Sequence, residues 1–189
     1  MCQICKLSNT AKDYLSEFYC ILDRMIQGMT QVDLTDSISY NFIVQMIPHH
    51  QAAIEMSENI LKYTTWIPLQ NIATQIITEQ TKSIEDMEKI KCTCGQLCNP
   101  RQDLCLYQRQ VNQIMDTMFC EMEHACSSNQ INGNFLREMI PHHRGAVKLS
   151  ETTLQYDICD GLVPILNSII VSQKRGIRQM TELLQCMKC

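Results

Sequence analysis

Three observations predict an all-α protein, an antiparallel helical bundle built from two pseudo-two-fold-related three-helix repeats. First, Gly (6) and Pro (5) are scarce across 189 residues, while Gln, Met, Leu, Ile and Glu are plentiful and strand-like alternation is rare, a composition that favours helices. Second, apolar residues recur at three- and four-residue spacing in six stretches, which is the period of a helix with one buried face. Third, residues 42–91 align without gaps on 135–184 at an offset of 93, with 18 identities in 50 positions. Two units of this length do not make an extended solenoid, which needs three or more. They are expected to share one core in a single domain spanning 1–189, with internal repeats at about 10–94 and 103–187.

The first predicted helix covers about 10–29, where Tyr14, Leu15, Phe18, Leu22, Met25, Ile26 and Met29 form an apolar face; its counterpart covers about 103–126. The second, about 37–62, follows the capping cluster Thr35-Asp36-Ser37, and its counterpart covers about 133–156. The third runs about 68–91 and, in the copy, about 161–186. Pro68 and Gly161 stand at the two starts, both suited to a helix boundary. Short loops between six helices favour antiparallel neighbours.

Composition excludes several function classes. Net charge is −4 and no Lys/Arg block exists, so no nucleic acid is expected as a partner. No apolar run approaches the roughly 18–20 residues that span a bilayer, so no membrane partner is expected either. The N-terminal stretch MCQICKLSNTAKDYL has no apolar core of a signal peptide, which favours a cytoplasmic location. A homo-oligomer is compatible with all of this.

The chain has 5 histidines, and four of them stand in two copies of MIPHH, at 46–50 and 139–143. Adjacent helical residues point about 100° apart, so the two members of a pair face different neighbours. One stripe runs Phe42, Met46, His49, Ala53, Met56, Ile60 and is repeated as Phe135, Met139, His142, Ala146, Leu149. The other runs Ile43, Ile47, His50, Ile54, Leu61 and is repeated as Leu136, Ile140, His143, Val147, Leu154. Both are apolar, so most of the helix circumference is expected to be buried. Pro48 and Pro141 either kink a continuous helix or begin the second half of a broken one. A histidine on an apolar stripe is commonly a satisfied core residue. Duplication of the pair beside Met46 and Met139, with Met87 and Met180 able to approach across the bundle, points instead to a metal ion as partner. Imidazole with thioether selects soft or borderline ions, above all Cu(I) and Ag(I). His49, His50, His142 and His143 are the main candidate ligands; Met46, Met139, Met87 and Met180 are the secondary ones.

The paired F-x-x-x-M-I-P-H-H-x-[AG]-A motifs, each followed by Gln80-x-x-x-Ile84-x-x-Met87 or Gln173-x-x-x-Ile177-x-x-Met180, resemble the domain of unknown function 305 family over nearly the whole chain. The resemblance implies a ferritin-like all-helical fold and a link to copper binding or resistance, and it carries over to the four motif histidines and, more weakly, the four methionines. The chain departs from the family at two positions. Members commonly carry an acidic residue in a Q-x-x-E-I pattern, whereas Ser83 and Gly176 stand there. Members are also typically exported.

A ferritin-like fold raises the alternative of a metal-dependent oxidoreductase, whose di-metal site needs two Glu-x-x-His motifs. Only Glu121-Met122-Glu123-His124 has that spacing, and its offset-93 counterpart, Gly28 to Gln31, lacks both ligand types. No hydrolase signature is present either, so no catalysis of its own is expected. Twelve cysteines concentrate at the seams between helices. They suggest two groups of four, Cys2, Cys5, Cys186, Cys189 and Cys92, Cys94, Cys98, Cys105, suited either to zinc or Cu(I) thiolate sites or to disulfides. Cys20, Cys120, Cys126 and Cys159 read as buried or isolated thiols. A cysteine-stapled interaction bundle without metal is the remaining alternative.

Overall fold

The computed structural model describes residues 7–187. Six helices follow in order: α1 (Asn9–Thr30), α2 (Ile38–Leu61), α3 (Ile67–Cys94), α4 (Arg101–Glu123), α5 (Ile131–Thr153) and α6 (Leu162–Cys186). The described residues contain no strand, so the all-α bundle holds. None of these helices is long and apolar enough to cross a membrane.

α2 and α5 form the centre. Each packs against its own neighbours, α1 and α3 for α2, α4 and α6 for α5, and the two halves meet through α2 against α5 and α3 against α6. The sequence explains why these two helices lie innermost. Phe42, Met46, His49, Ala53, Met56 and Ile60 are all at most 2% exposed, and on the second stripe Ile43, His50 and Ile54 are buried as well. A helix apolar around most of its circumference needs neighbours on several sides.

Boundaries follow local chemistry. Ser37 caps α2, its hydroxyl accepting from the Tyr40 amide at 3.3 Å. Pro48 and Pro141 lie inside uninterrupted helices; the broken-helix alternative does not hold, because tertiary packing on several sides offsets the hydrogen bond that each proline removes. Gly28 is part of that packing: a Cβ there would stand 2.7 Å from the Pro48 Cβ. Gly28→Ala is therefore expected to destabilise the protein by about 1–3 kcal/mol, overpacking outweighing the helix-propensity gain. A denaturation midpoint at or above wild type would show that α1 moves aside freely.

Residues at the offset of 93 make matching contacts. Asn41 accepts from the Thr35 amide at 2.8 Å and donates to the Thr35 carbonyl at 2.9 Å. Asn134 does the same with Ser128 at 2.9 and 2.8 Å. Tyr14 meets Tyr63 edge-on, and Tyr107 meets Tyr156 likewise.

The cysteines depart from expectation. α3 continues to Cys94, so Cys92 and Cys94 lie in its last turn rather than in the linker, with Cys92 exposed and Cys94 buried. Cys94 is bonded to Cys159, which sequence alone reads as an isolated thiol. That takes Cys94 out of the expected four-cysteine set, and Cys92, Cys98 and Cys105 remain as exposed free thiols. The reason is topological: α3 against α6 brings the end of one helix beside the turn that leads into the other. Of the thiols expected to be buried or isolated, Cys20, Cys120 and Cys126 are free and exposed. Cys186 is also free and exposed, while Cys2, Cys5 and Cys189 lie outside the described residues.

Candidate metal centre

At the middle of the α2–α5 contact the His49 and His142 rings stack with centroids 3.7 Å apart and planes 31° from parallel. Each donates through Nε2–H to the backbone carbonyl of the other's residue, at 3.2 Å from His49 and 3.1 Å from His142. These bonds place the proton of each neutral ring on Nε2 and leave Nδ1 as the lone-pair nitrogen. Neither Nδ1 has a hydrogen-bond partner, and both are buried.

His50 and His143 turn away from this pair, as the 100° step between helix neighbours requires. Each ring lies 5.8–5.9 Å from its neighbour in sequence. His50 reaches α3, where its Nε2 lies 3.0 Å from the Ser83 hydroxyl. His143 reaches α6 at Gly176, where a Cβ would come within 2.9 Å of the ring Cδ2 and 3.1 Å of Nε2. Position 83 and position 176 are the two departures from the Q-x-x-E-I pattern. One gives its imidazole a hydroxyl, and the other leaves room for the ring.

Burial sets the electrostatics. Desolvation holds His50 down to about 3 and His142 to about 4, because a charged ring in a dry core loses its hydration. It holds His49 and His143 well below the usual imidazole range too, and mutual repulsion among the four rings adds to it. All four are thus neutral at pH 7, the form that offers a lone pair to a metal.

Met46, Met139, Met87 and Met180 are all at most 1% exposed. Met180 is brought to the outer site: its Cε stands 3.9 Å from the position a Gly176 Cβ would take, beside His143. Among the described residues, no three His, Cys, Asp or Glu side chains are arranged to hold a metal ion. An ion held here would have to take few ligands or complete its shell with thioether sulfur, which suits soft d¹⁰ ions and not Ca²⁺, Mg²⁺ or octahedral iron. His124 caps α4 on the surface, its Nδ1 2.9 Å from the Cys120 carbonyl, far from a paired-carboxylate arrangement.

Further polar residues, not among the expected ligands, are buried on these helices. Glu138 is 3% exposed; burial pushes its carboxyl up to about 7, and the Tyr14 hydroxyl donates to it at 2.6 Å. The equivalent position in the first half, Gln45, instead donates to the Met29 carbonyl at 3.1 Å. Gln80 and Gln173 are buried beside the outer histidines, with amide atoms that lack partners. Their identity at the offset of 93 was the available signal.

The family model described as Domain of unknown function (DUF305) matches residues 39–184. Among solved structures, CopM in a silver-bound form obtained by soaking is similar with a TM-score of 0.59 at 25% identity, covering 82% of this chain and 97% of that one. A fragment from Deinococcus radiodurans assigned to the same family is similar in fold, with a TM-score of 0.58 at 23% identity over 78% of this chain and 95% of that one. No curated protein matches the chain.

Proposed function

This chain belongs to the DUF305 family, and on that premise we propose that it binds a soft metal ion, copper as Cu(I), for sequestration or handling. The observation that carries the reading is the gathering of four neutral, buried imidazoles on two central helices, with the Nδ1 atoms of His49, His50 and His142 unpartnered. An unpartnered buried acceptor is destabilising, and a metal ion is a partner that such a lone pair can take. The silver-bound relative supports the same metal class. In this reading His49, His50, His142 and His143 supply the nitrogen ligands, and Met46, Met139, Met87 and Met180 are the candidate thioethers, of which Met180 stands beside His143. The protein's part is to bind and shield the ion; no bond of a substrate is broken.

Anaerobic Cu(I) titration of wild type beside His49/His50/His142/His143→Ala tests the reading. The expected loss of affinity is about a hundredfold or more, about 2.7 kcal/mol. The pair variants His49/His142→Ala and His50/His143→Ala serve if the quadruple variant unfolds. Unchanged stoichiometry and affinity in all three would refute it.

The Cys94–Cys159 bond favours the second reading, a stapled interaction bundle with core histidines. It requires the purified protein to bind no Cu(I) at all.

A further inference from the structure

The two halves treat their outer imidazoles differently. At the offset of 93, His50 corresponds to His143, and position 83 of α3 corresponds to position 176 of α6. On α3 that position holds Ser83, whose hydroxyl lies 3.0 Å from His50 Nε2. On α6 it holds Gly176, which has no side chain to offer and lies so close that a Cβ would stand 3.1 Å from His143 Nε2. His50 and His143 are buried alike, at 1% and 2% exposed. What separates them is therefore a hydrogen-bond partner and not access to solvent.

That partner decides where His50 carries its proton. A neutral imidazole has one N–H and one lone pair. His50 Nδ1 is buried and has no partner. A proton there would leave the core with an N–H that has no acceptor. In protein interiors an orphaned N–H is rarer than an under-satisfied acceptor. With the proton on Nε2, the Ser83 oxygen accepts it, and the Ser83 hydroxyl proton is free to turn into the groove between α3 and α6 that Ser83 lines. The lone pair then stands on Nδ1, as it does on His49 and His142. His143 receives no such bond from α6.

We propose that Ser83 is a positioning residue for the metal centre: it holds the His50 proton on Nε2, orients the ring, and so reserves Nδ1 as the coordinating atom. The inference rests on the metal-binding reading above and adds to it a residue outside the ligand set. A ligand imidazole whose second nitrogen is hydrogen-bonded is kept in one tautomer and one orientation, and its basicity as a ligand rises. The two outer histidines, equivalent in motif, therefore differ as ligands, and the difference lies in the third helix of each half. Loss of the Ser83 hydroxyl weakens the first half and leaves the second as it is.

Nitrogen-resolved imidazole NMR spectra of the apo-protein read the tautomer directly. His50 should show a protonated Nε2 and an unprotonated Nδ1 in wild type and in Ser83→Thr, which keeps the hydroxyl. In Ser83→Ala that single tautomer should give way to a mixture, with the His143 signals unmoved. Anaerobic Cu(I) competition against bicinchoninate should show an affinity about tenfold lower in Ser83→Ala and restored in Ser83→Thr. Ser168→Ala, at an exposed position on the wall of the same groove, should change neither readout. A His50 proton on Nδ1, or a Ser83→Ala protein that keeps either the wild-type tautomer or the wild-type affinity, overturns the role of Ser83 and leaves metal binding intact. A wild-type protein that takes up no Cu(I) overturns both.

Discussion

Acidification of the apo-protein from pH 7 towards 4 should unfold it cooperatively. In the folded chain His50 titrates near 3 and His142 near 4, against an ordinary 6.5, and His49 and His143 are lowered in the same direction. A depressed folded value means that the unfolded state takes up the proton first. Stability is thus complete above 6.5 and is lost as pH falls towards the folded values. Each such histidine removes about 1.4 kcal/mol per pH unit in that window. Glu138 works the other way: raised from 4.5 to about 7, it contributes stability that is fully present below 4.5 and is lost as pH rises through 7. Four histidines outweigh one carboxyl, so the net slope below 6.5 is about 4 kcal/mol per pH unit. Two units of that slope consume a typical domain stability of about 5–15 kcal/mol. Circular dichroism across the range measures the midpoint, and Cu(I) at saturation should move it to lower pH, because a coordinated nitrogen cannot be protonated. An apo-protein that stays folded below pH 3 would show that these rings are not held neutral by burial.

Reduction of the Cys94–Cys159 bond is expected to have the next largest effect. The bond closes a sequence separation of 65 residues, and the loop entropy it removes from the unfolded chain corresponds to about 4 kcal/mol. For a chain of this size that is a fall in Tm of about 10 °C. A Cys94→Ala/Cys159→Ala protein should melt at the lower temperature and ignore reductant. Equal melting of wild type with and without reductant would mean that the bundle end is held by its other contacts. Those contacts are specific: Asn99 accepts from the Ile38 amide at 2.8 Å and donates to the Asp157 carbonyl at 2.7 Å, and Ser39 accepts from the Cys159 amide at 3.0 Å.

Much of this architecture was legible in the sequence because helix periodicity and the 93-residue offset carry information along the chain. Helix starts marked by Ser37, Pro68 and Gly161 lie within one residue of the observed ones. The divergence of His49 from His50 followed from the 100° step alone. What could not be read is which residue of one half meets which residue of the other. Cys94 with Cys159 and Tyr14 with Glu138 are such contacts across the halves, and no local pattern encodes them or the pairing of His50 with Ser83 between two helices of one half. The expected linker cluster failed for the same reason: Cys92 and Cys94, two residues apart on a helix, face nearly opposite ways. Gly28 shows the converse, since its place against Pro48 is a tertiary reason for a residue that helix propensity alone disfavours.

The exchanged carbonyl bonds between His49 and His142 have a thermodynamic consequence. A ligand that rotates either ring to reach its Nδ1 lone pair must strain or break that ring's bond to the opposite helix, and so changes the stacking surface and hydrogen bonding felt by its twin. The work done at one imidazole is thereby partly spent on the other. By linkage the influence is equal in both directions. Two rings separated by 93 positions in the chain are joined by these bonds, and the occupancy curve of their nitrogens should depart from that of independent sites.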